Sequence, residues 1–170
     1  MKHLYFMRHG LSVMNKKGLF SGRTDTPLAK EGVLQCQEAG RSLKGTPIDL
    51  IISSPMLRAF QSAKIVAKEI GYPETKILLN DLFMERDLGS LEGKDYIRGL
   101  TLNLHPGVEH SDNLIERAKQ AIAFLNNQQA NNILVVSHSS LGRALKHAIN
   151  SDTEFKDIEG FINGNIVKLI

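Results

Sequence analysis

Short apolar runs alternate along the chain with longer stretches in which apolar residues recur at helical spacing. The short runs predict β-strands buried on both faces, at residues 3–8, 49–53, 76–79, 132–137 and 165–170. The longer stretches predict amphipathic helices at residues 28–44, 55–70, 111–128 and 140–149. In the first helix, for example, Val33, Cys36, Ala39 and Leu43 fall on one face. Strand and helix therefore alternate through the whole sequence.

This alternation predicts an α/β fold, a three-layer α/β/α sandwich around a mostly parallel central sheet with right-handed crossovers. The 170 residues suit a single domain spanning 1–170, and no internal repeat, low-complexity segment or linker divides them. Two segments lack a regular pattern. Residues 11–27 are rich in Ser, Asn, Gly and Thr, and residues 80–110 are irregular except for a short helical piece predicted near 94–100. Long loops of this kind are often functional.

The composition narrows the classes of molecule that the protein is expected to bind. The chain is 42% hydrophobic and 23% charged, as in soluble globular proteins, and its net charge is +3. The 21 Lys and Arg residues are scattered, which indicates an anionic small molecule rather than nucleic acid. A single cysteine, Cys36, excludes an internal disulfide and is typical of a reducing compartment. With no predicted signal peptide or membrane span, the expected location is cytoplasmic. The oligomeric state stays open.

Arginine and histidine stand where predicted strands end. Arg8 and His9 close the first strand, His138 follows the strand at 132–137, and Arg58 lies in the first turn of the helix after Ser53-Ser54-Pro55. Parallel strands bring their carboxyl ends to one edge of the sheet, where ligands bind in open α/β folds. We therefore expect these four side chains to converge.

Two arginines and two histidines suit a phosphate dianion. Guanidinium groups match phosphate oxygens and keep their charge, so neither a metal nor a cofactor is expected, and no Asp/His spacing predicts a metal site. A histidine between two guanidinium groups should have its pKa lowered by like charge, which leaves a lone pair for attack. His9 is thus the predicted nucleophile, with His138 stabilising charge opposite it.

A proton donor for the leaving group and a cradle for the phosphoryl oxygens complete the predicted site. Glu85, after the third strand, is the candidate acid, although four other carboxylates compete with it: Asp81, Asp87, Glu92 and Glu109. The side chains and backbone N–H groups of the first loop and of the second histidine junction could form the cradle: Asn15, Ser21, Gly22, Arg23 and Ser139. Residues 11–25 and 86–110 are expected to line the leaving-group side.

The chain resembles the histidine phosphatase superfamily, the phosphoglycerate mutase-like proteins. The resemblance rests on an ordered set of motifs that covers nearly the whole sequence: Arg8-His9-Gly10, Asn15, Ser21-Gly22, Asp25-Thr26-Pro27-Leu28, Gly32, Gln35, Ser53-Ser54-Pro55, Arg58-Ala59, Glu85, Gly89, Glu92-Gly93 and Ser137-His138. It implies that His9 is phosphorylated, that Arg8, Arg58 and His138 hold the phosphoryl group, and that Glu85 later activates water.

Three positions depart from the family pattern. Ser139 replaces the glycine that usually follows the second histidine, which puts the backbone approach to phosphate in question. Ala29 stands where a capping threonine is expected, which bears on stability rather than on chemistry. Gly107-Val108-Glu109-His110-Ser111 resembles the Gly-Glu-Ser element of related phosphatases with one residue inserted, so Glu109 is an ambiguous match.

The resemblance allows three functions. The first is a metal-independent phosphomonoesterase, a phosphoric monoester hydrolase of the histidine acid phosphatase type, acting on a small phosphorylated metabolite. The second is a phosphoglycerate mutase, which the short stretch between Glu85 and His138 disfavours because it lacks the paired arginines of the mutases, and because no tail follows the last strand to close the site. The third is a degenerate module that binds phosphate without turnover, which Ser139 would favour.

Overall fold

The computed structural model describes residues 1–170, and its regular elements follow the predicted alternation. The strands are β1 (His3–Arg8), β2 (Leu50–Ser53), β3 (Leu78–Leu79), β4 (Asn132–Ser137) and β5 (Ile166–Lys168). The helices are α1 (Val13–Lys16), α2 (Lys30–Ser42), α3 (Leu57–Ile70), α4 (Ser111–Asn126) and α5 (Ser139–Ile149). None of these helices has the length and apolar character needed to cross a bilayer.

The five strands form one sheet in the order β3-β2-β4-β1-β5. β1, β2, β3 and β4 are parallel, and β5 pairs with β1 in the antiparallel direction. The central strand β4 is apolar throughout because both of its faces are covered. β1 and β4 run in register so that Arg8 lies opposite Ser137. The carboxyl ends of these two strands therefore meet at one edge.

Two apolar cores confirm the three-layer arrangement. Leu4, Phe6, Ile133 and Val135 face α4 and α5, and they belong to the larger core cluster. The intervening strand residues face α2 and α3 in a second cluster, with Cys36 among the helix residues. Successive strand residues point to opposite faces of the sheet, which is why one apolar strand serves both layers.

The structure corrects several predicted boundaries. No helix forms near 94–100, and residues 80–110 instead contain three short 3-10 helices, at Asp81–Phe83, Gly89–Leu91 and Leu102–Leu104. The first loop contains the short helix α1, capped by the Ser12 hydroxyl, which accepts from the Asn15 N–H. α3 begins at Leu57 rather than at the proline, and β3 is a two-residue edge strand. In these regions, contacts between residues that are far apart in sequence, rather than a local hydrophobic period, determine the backbone conformation.

Candidate functional site

The carboxyl ends of β1, β2 and β4 bring Arg8, His9, Arg58 and His138 together, and we call these four residues the strand-end cluster. The backbone N–H of His9 donates to the Ser137 carbonyl at 2.9 Å, which continues the β1–β4 pairing by one residue. The imidazole centroids of His9 and His138 are consequently 5.1 Å apart, with the rings edge to face. The predicted convergence is confirmed, because the parallel sheet brings strand ends that are far apart in sequence to one edge.

His9 is held in one tautomer and kept neutral. Its side chain is 3% exposed, and Nδ1 lies 2.7 Å from the Gly10 carbonyl oxygen, so Nδ1–H donates and Nε2 keeps its lone pair. Burial lowers the pKa of His9 well below its usual value, and the nearby charges of Arg58 and Arg8 lower it further. Like charge was the predicted cause, whereas burial is the larger one.

Gly10 fixes the turn that follows His9. A Cβ at this position would lie 2.7 Å from Sγ of Cys36 on α2, so only glycine allows the chain to pass so close to the helix. The Gly10 N–H also donates to the Ser62 hydroxyl on α3 at 3.0 Å. The end of β1 is thus clamped between two helices, which gives the His9 ring a fixed direction.

Arg58 is buried beside His9 and held by the first loop. Only 1% of it is exposed, and Nε donates to Nε2 of His9 at 3.2 Å. Its Nη1 donates to the Thr24 carbonyl at 3.0 Å and its Nη2 to the Gly22 carbonyl at 2.7 Å. Gly22 has a φ of +48°, which turns its carbonyl toward the guanidinium. The loop that follows the nucleophile candidate therefore orients the cation beside it.

Arg8 and His138 complete the strand-end cluster in different ways. Nη1 of Arg8 donates to the Phe161 carbonyl at 2.7 Å, while its buried Nε has no protein acceptor. His138 is fully buried behind His9 and does not line the cleft, and its Nε2 lies 2.9 Å from the Ser54 hydroxyl. Burial, and then the charge of Arg58, lowers the pKa of His138 well below its usual value.

The Glu85 side chain lies against the first turn of α5. One carboxylate oxygen, Oε1, accepts from the Arg86 N–H at 2.8 Å and from the Leu141 N–H at 3.3 Å, and Oε2 accepts from the Ser140 N–H at 3.3 Å. A carboxylate is well placed at a helix N-terminus, where free N–H groups point outward. Of the five carboxylates considered in the sequence, only Glu85 lines the cleft.

A half-buried ion pair supports the segment that carries Glu85. Arg117 on α4 donates through Nη1 to the Leu82 and Met84 carbonyls, at 3.0 and 2.7 Å. Its Nε and Nη2 donate to the two carboxylate oxygens of Glu109 at 3.0 and 2.8 Å. Glu109, the ambiguous motif match, therefore orients Arg117 and does not reach the cleft.

The site opens into a cleft of about 490 Å³. Asn15, Ser21, Gly22 and Ser139 all line it, as the sequence predicts. Ser139 starts α5, and its hydroxyl accepts from the Phe161 N–H at 3.2 Å, so this side chain holds the segment that precedes β5. Arg23 does not line the cleft and donates through Nε to the Glu85 carbonyl at 3.3 Å.

Several residues that line the cleft were not predicted from the sequence. Arg143 and Tyr96 line the cleft, and Asn163 donates to the His9 carbonyl at 2.9 Å. Arg143 lies one helical turn after Ser139, a spacing that could have indicated a shared face. Apolar side chains from the two irregular segments also contribute: Leu11, Leu19, Phe20, Leu88 and Leu102. We call residues 86–110 the outer wall. No group of three or more His, Cys, Asp or Glu side chains could hold a metal ion.

In sequence, the chain is similar to known phosphatases and phosphoglycerate mutases. The model of the histidine phosphatase superfamily (branch 1) matches residues 4–167. An uncharacterized phosphatase, PhoE of Bacillus subtilis (strain 168), is 32% identical over 143 residues, which are 82% of this chain and 72% of PhoE. A 2,3-bisphosphoglycerate-dependent phosphoglycerate mutase of Parvibaculum lavamentivorans is 38% identical over 92 residues, which are 53% of this chain and 44% of the mutase.

The fold is also that of a solved phosphatase. The structure of a mycobacterial glucosyl-3-phosphoglycerate phosphatase in complex with VO3 superposes with a TM-score of 0.86. The match covers 99% of this chain and 90% of that one, at 21% sequence identity. At this identity the likeness concerns the fold, and it agrees with the three-layer α/β arrangement described above.

Proposed function

Because this chain belongs to the histidine phosphatase superfamily, whose members include phosphatases and phosphoglycerate mutases, we propose that it is a metal-independent phosphomonoesterase. The observation that carries the proposal is the neutral His9, whose Nε2 accepts a hydrogen bond from the buried Arg58 and which lines an open cleft together with the half-buried Arg8. The substrate is a small phosphorylated molecule, and the reaction passes through a phosphohistidine on His9.

In the first half-reaction, the lone pair of His9 Nε2 attacks phosphorus, and the bond from phosphorus to the ester oxygen breaks. Protonated Glu85 gives its proton to the departing oxygen, so that a neutral alcohol leaves. Arg8 and Arg58 hold the nonbridging oxygens, where charge is spread in the transition state. Arg58 already donates to Nε2 and must shift this N–H to a phosphoryl oxygen when substrate binds.

In the second half-reaction, the Glu85 carboxylate takes a proton from water as the water oxygen attacks phosphorus. The phosphorus–nitrogen bond breaks, its electron pair returns to Nε2, and inorganic phosphate leaves. The backbone N–H groups at the start of α5 hold the Glu85 carboxylate toward the cleft in both steps. That His138 holds the phosphoryl group stays a prediction, and its ring packs edge to face against His9.

The two alternatives remain as outcomes of the same test. A mutase would transfer the phosphoryl group to a hydroxyl of a glycerate instead of water, and the mutase relative supports this reading over about half of the chain. A non-catalytic binding module was suggested by Ser139. Its hydroxyl is engaged by the Phe161 N–H, so the serine leaves the cleft in front of His9 open and gives this alternative little support.

The test is hydrolysis of 4-nitrophenyl phosphate in the presence of EDTA, with acid-labile phosphate trapped on the protein as a second readout. We expect turnover, a trapped phosphohistidine and loss of both in His9→Ala. His110→Ala, which removes an exposed histidine outside the cleft, serves as the matched control and should keep both. Turnover that survives in His9→Ala contradicts the mechanism, and phosphoryl exchange between glycerate phosphates promotes the mutase.

A further inference from the structure

Asn163 lines the cleft, and the proposed reaction does not use it. It belongs to residues 160–164, which precede β5 and which we call the return segment. The N–H of Gly164 donates to the carbonyls of Arg8 and His9, at 3.0 and 3.2 Å. One end of the return segment is therefore bonded to the end of β1, the strand that carries the nucleophile candidate.

Phe161 anchors the other end of the return segment. Its N–H donates to the Ser139 hydroxyl at 3.2 Å, and its carbonyl accepts from Nη1 of Arg8 at 2.7 Å. Its ring packs against that of Phe6, with centroids 4.7 Å apart. The Asn163 side chain thus projects into the cleft from a backbone that is held on both sides.

The carbonyl of His9 determines which way the Asn163 amide faces. Nδ2 of Asn163 lies 2.9 Å from this carbonyl oxygen. A carbonyl oxygen only accepts hydrogen bonds, so the atom beside it must belong to the NH2 group and not to the amide oxygen. The main chain of the nucleophile candidate therefore fixes the orientation of this amide.

The Asn163 amide in turn orients the side chain of Asn15 on α1. Its NH2 group has a second N–H, and Oδ1 of Asn15 accepts from it over a longer distance of 3.5 Å. With its oxygen turned to Asn163, Asn15 leaves its own NH2 group without a protein acceptor, at a position that lines the cleft. The reverse orientation would set two NH2 groups against each other and turn an oxygen toward any anion in the cleft.

From these contacts we infer that Asn163 is a positioning residue, which turns the NH2 group of Asn15 toward the phosphoryl group. The inference rests on the proposed function, in which a phosphoryl dianion occupies the cleft beside His9. Without the Asn163 amide, Asn15 has no preferred orientation, and in one of the two orientations its oxygen repels the dianion. Asn163 therefore acts on the bound phosphoryl group through Asn15.

A double-mutant cycle between Asn163 and Asn15 tests the inference, with inhibition of 4-nitrophenyl phosphate hydrolysis by inorganic phosphate as the readout. Asn15→Ala should raise Ki for phosphate about tenfold, because it removes a hydrogen bond to a charged group. Asn163→Ala should raise Ki about fivefold, because Asn15 loses its preferred orientation. The double variant should stay near the value of Asn15→Ala, and a rise of about fiftyfold, the product of independent effects, overturns the inference.

Asn165→Ala is the matched control, because Asn165 is an exposed asparagine two residues farther along the chain. It should keep the wild-type Ki for phosphate. A merely structural role for Asn163 would lower the melting temperature and the fraction of active protein, and with them the apparent kcat. It would not change Ki, so a folded Asn163→Ala with the wild-type Ki overturns the inference.

A measurement on the wild-type protein does not depend on the folding of Asn163→Ala. In a nuclear magnetic resonance spectrum of isotopically labelled protein, the side-chain NH2 signals of Asn15 are identified by their absence from the spectrum of Asn15→Ala. These signals should shift when inorganic phosphate is added. Asn15 signals that do not shift overturn the inference.

Calorimetric titration with inorganic phosphate separates the inference from the proposed function, because it repeats the cycle without turnover. Coupled phosphate binding in a protein that hydrolyses no ester overturns the proposed function and leaves the positioning role in place. Turnover through His9 with no coupling between Asn163 and Asn15 overturns the positioning role alone. A wild-type protein that binds no phosphate overturns both.

Discussion

The strand-end cluster and the outer wall face each other across one cleft, but they are built in opposite ways. His9, Arg58 and His138 are at most 3% exposed and are fixed by parallel strand pairing and helix starts. In the outer wall, Tyr96 is 61% exposed and Leu104 is 80% exposed, and one isolated bridge, between Asp95 and Leu19, pairs its backbone with the first loop. Regular structure thus fixes the chemistry, while a segment that tolerates change borders the leaving group.

Substitution of Arg58 should disrupt the strand-end cluster with the largest loss of activity. Arg58→Ala should lower kcat/KM for 4-nitrophenyl phosphate by about a thousandfold and weaken inhibition by inorganic phosphate by about 3 kcal/mol. The physical reason is that a desolvated dianion loses one charge-assisted partner. Steady-state kinetics with inorganic phosphate as competitor measure both quantities.

Arg41→Ala is the matched control for Arg58, because Arg41 is an exposed arginine on the neighbouring helix α2. Arg58 also binds the Gly22 and Thr24 carbonyls, so Arg58→Lys, which keeps the charge but not the fork, should give an intermediate loss. Unchanged inhibition by inorganic phosphate in Arg58→Ala would show that Arg58 does not bind the phosphoryl group.

Glu85 connects the two regions, because it follows β3 in the sequence and its carboxylate accepts hydrogen bonds from the first turn of α5. Glu85→Gln should lower kcat/KM about a hundredfold for an alkyl phosphate and much less for 4-nitrophenyl phosphate, whose leaving group needs little protonation. Pre-steady-state kinetics should show that the burst of 4-nitrophenol survives while the later release of phosphate slows. Glu116→Gln, on the exposed face of α4, is the control. An equal loss of kcat/KM with both esters would argue against an acid role for Glu85.

The burial of two neutral histidines also makes the strand-end cluster sensitive to pH. The pKa values of His9 and His138 are lowered in the folded protein, so below about pH 6.5 the unfolded chain takes up protons that the folded chain does not. The free energy of unfolding should therefore fall as pH decreases from 7.5 to 5.5. Each histidine adds a slope that approaches about 1.4 kcal/mol per pH unit.

Urea denaturation across this pH range measures the slope, because carboxylates stay largely ionised there. His138→Asn should reduce the slope by one histidine's share, whatever it does to stability at pH 7.5. The same substitution at the exposed His110 should leave the slope near that of the wild type. A wild-type slope near zero would mean that the two rings are protonated in the folded protein.

The same contrast explains which features of the fold and of the site could be predicted from the sequence. The strand-end residues Arg8, His9 and His138 were predictable because an apolar run fixes where a strand ends, and a parallel sheet gathers such ends at one edge. The helix predicted near 94–100 was wrong because Asp95 pairs with Leu19, a contact between distant parts of the chain that no local period encodes. Hydrophobic patterning predicts layers well and loop contacts poorly.

Arg143 and Arg117 were missed for a related reason. On an amphipathic helix, an arginine off the apolar stripe is usually solvated, and its sequence does not show whether a cleft or another segment lies beside it. Arg117 is held by three loop carbonyls and by Glu109, all brought near it by the path of residues 80–110. The strand-end pattern and the resemblance to a family both indicated the nucleophile candidate, but neither contained information on the contacts of Arg117.

The smallest predicted effect concerns Tyr96, and it sharpens the contrast most directly. Tyr96→Ala should raise KM for 4-nitrophenyl phosphate about threefold, because an aromatic leaving group loses one ring of the wall, and should leave KM for 3-hydroxypropyl phosphate nearly unchanged. Tyr96→Phe should keep the wild-type KM, and Ile97→Ala, an exposed neighbour outside the cleft, is the control. A tenfold loss of kcat with both esters would show that the outer wall positions the strand-end cluster, so that the two regions could not vary independently.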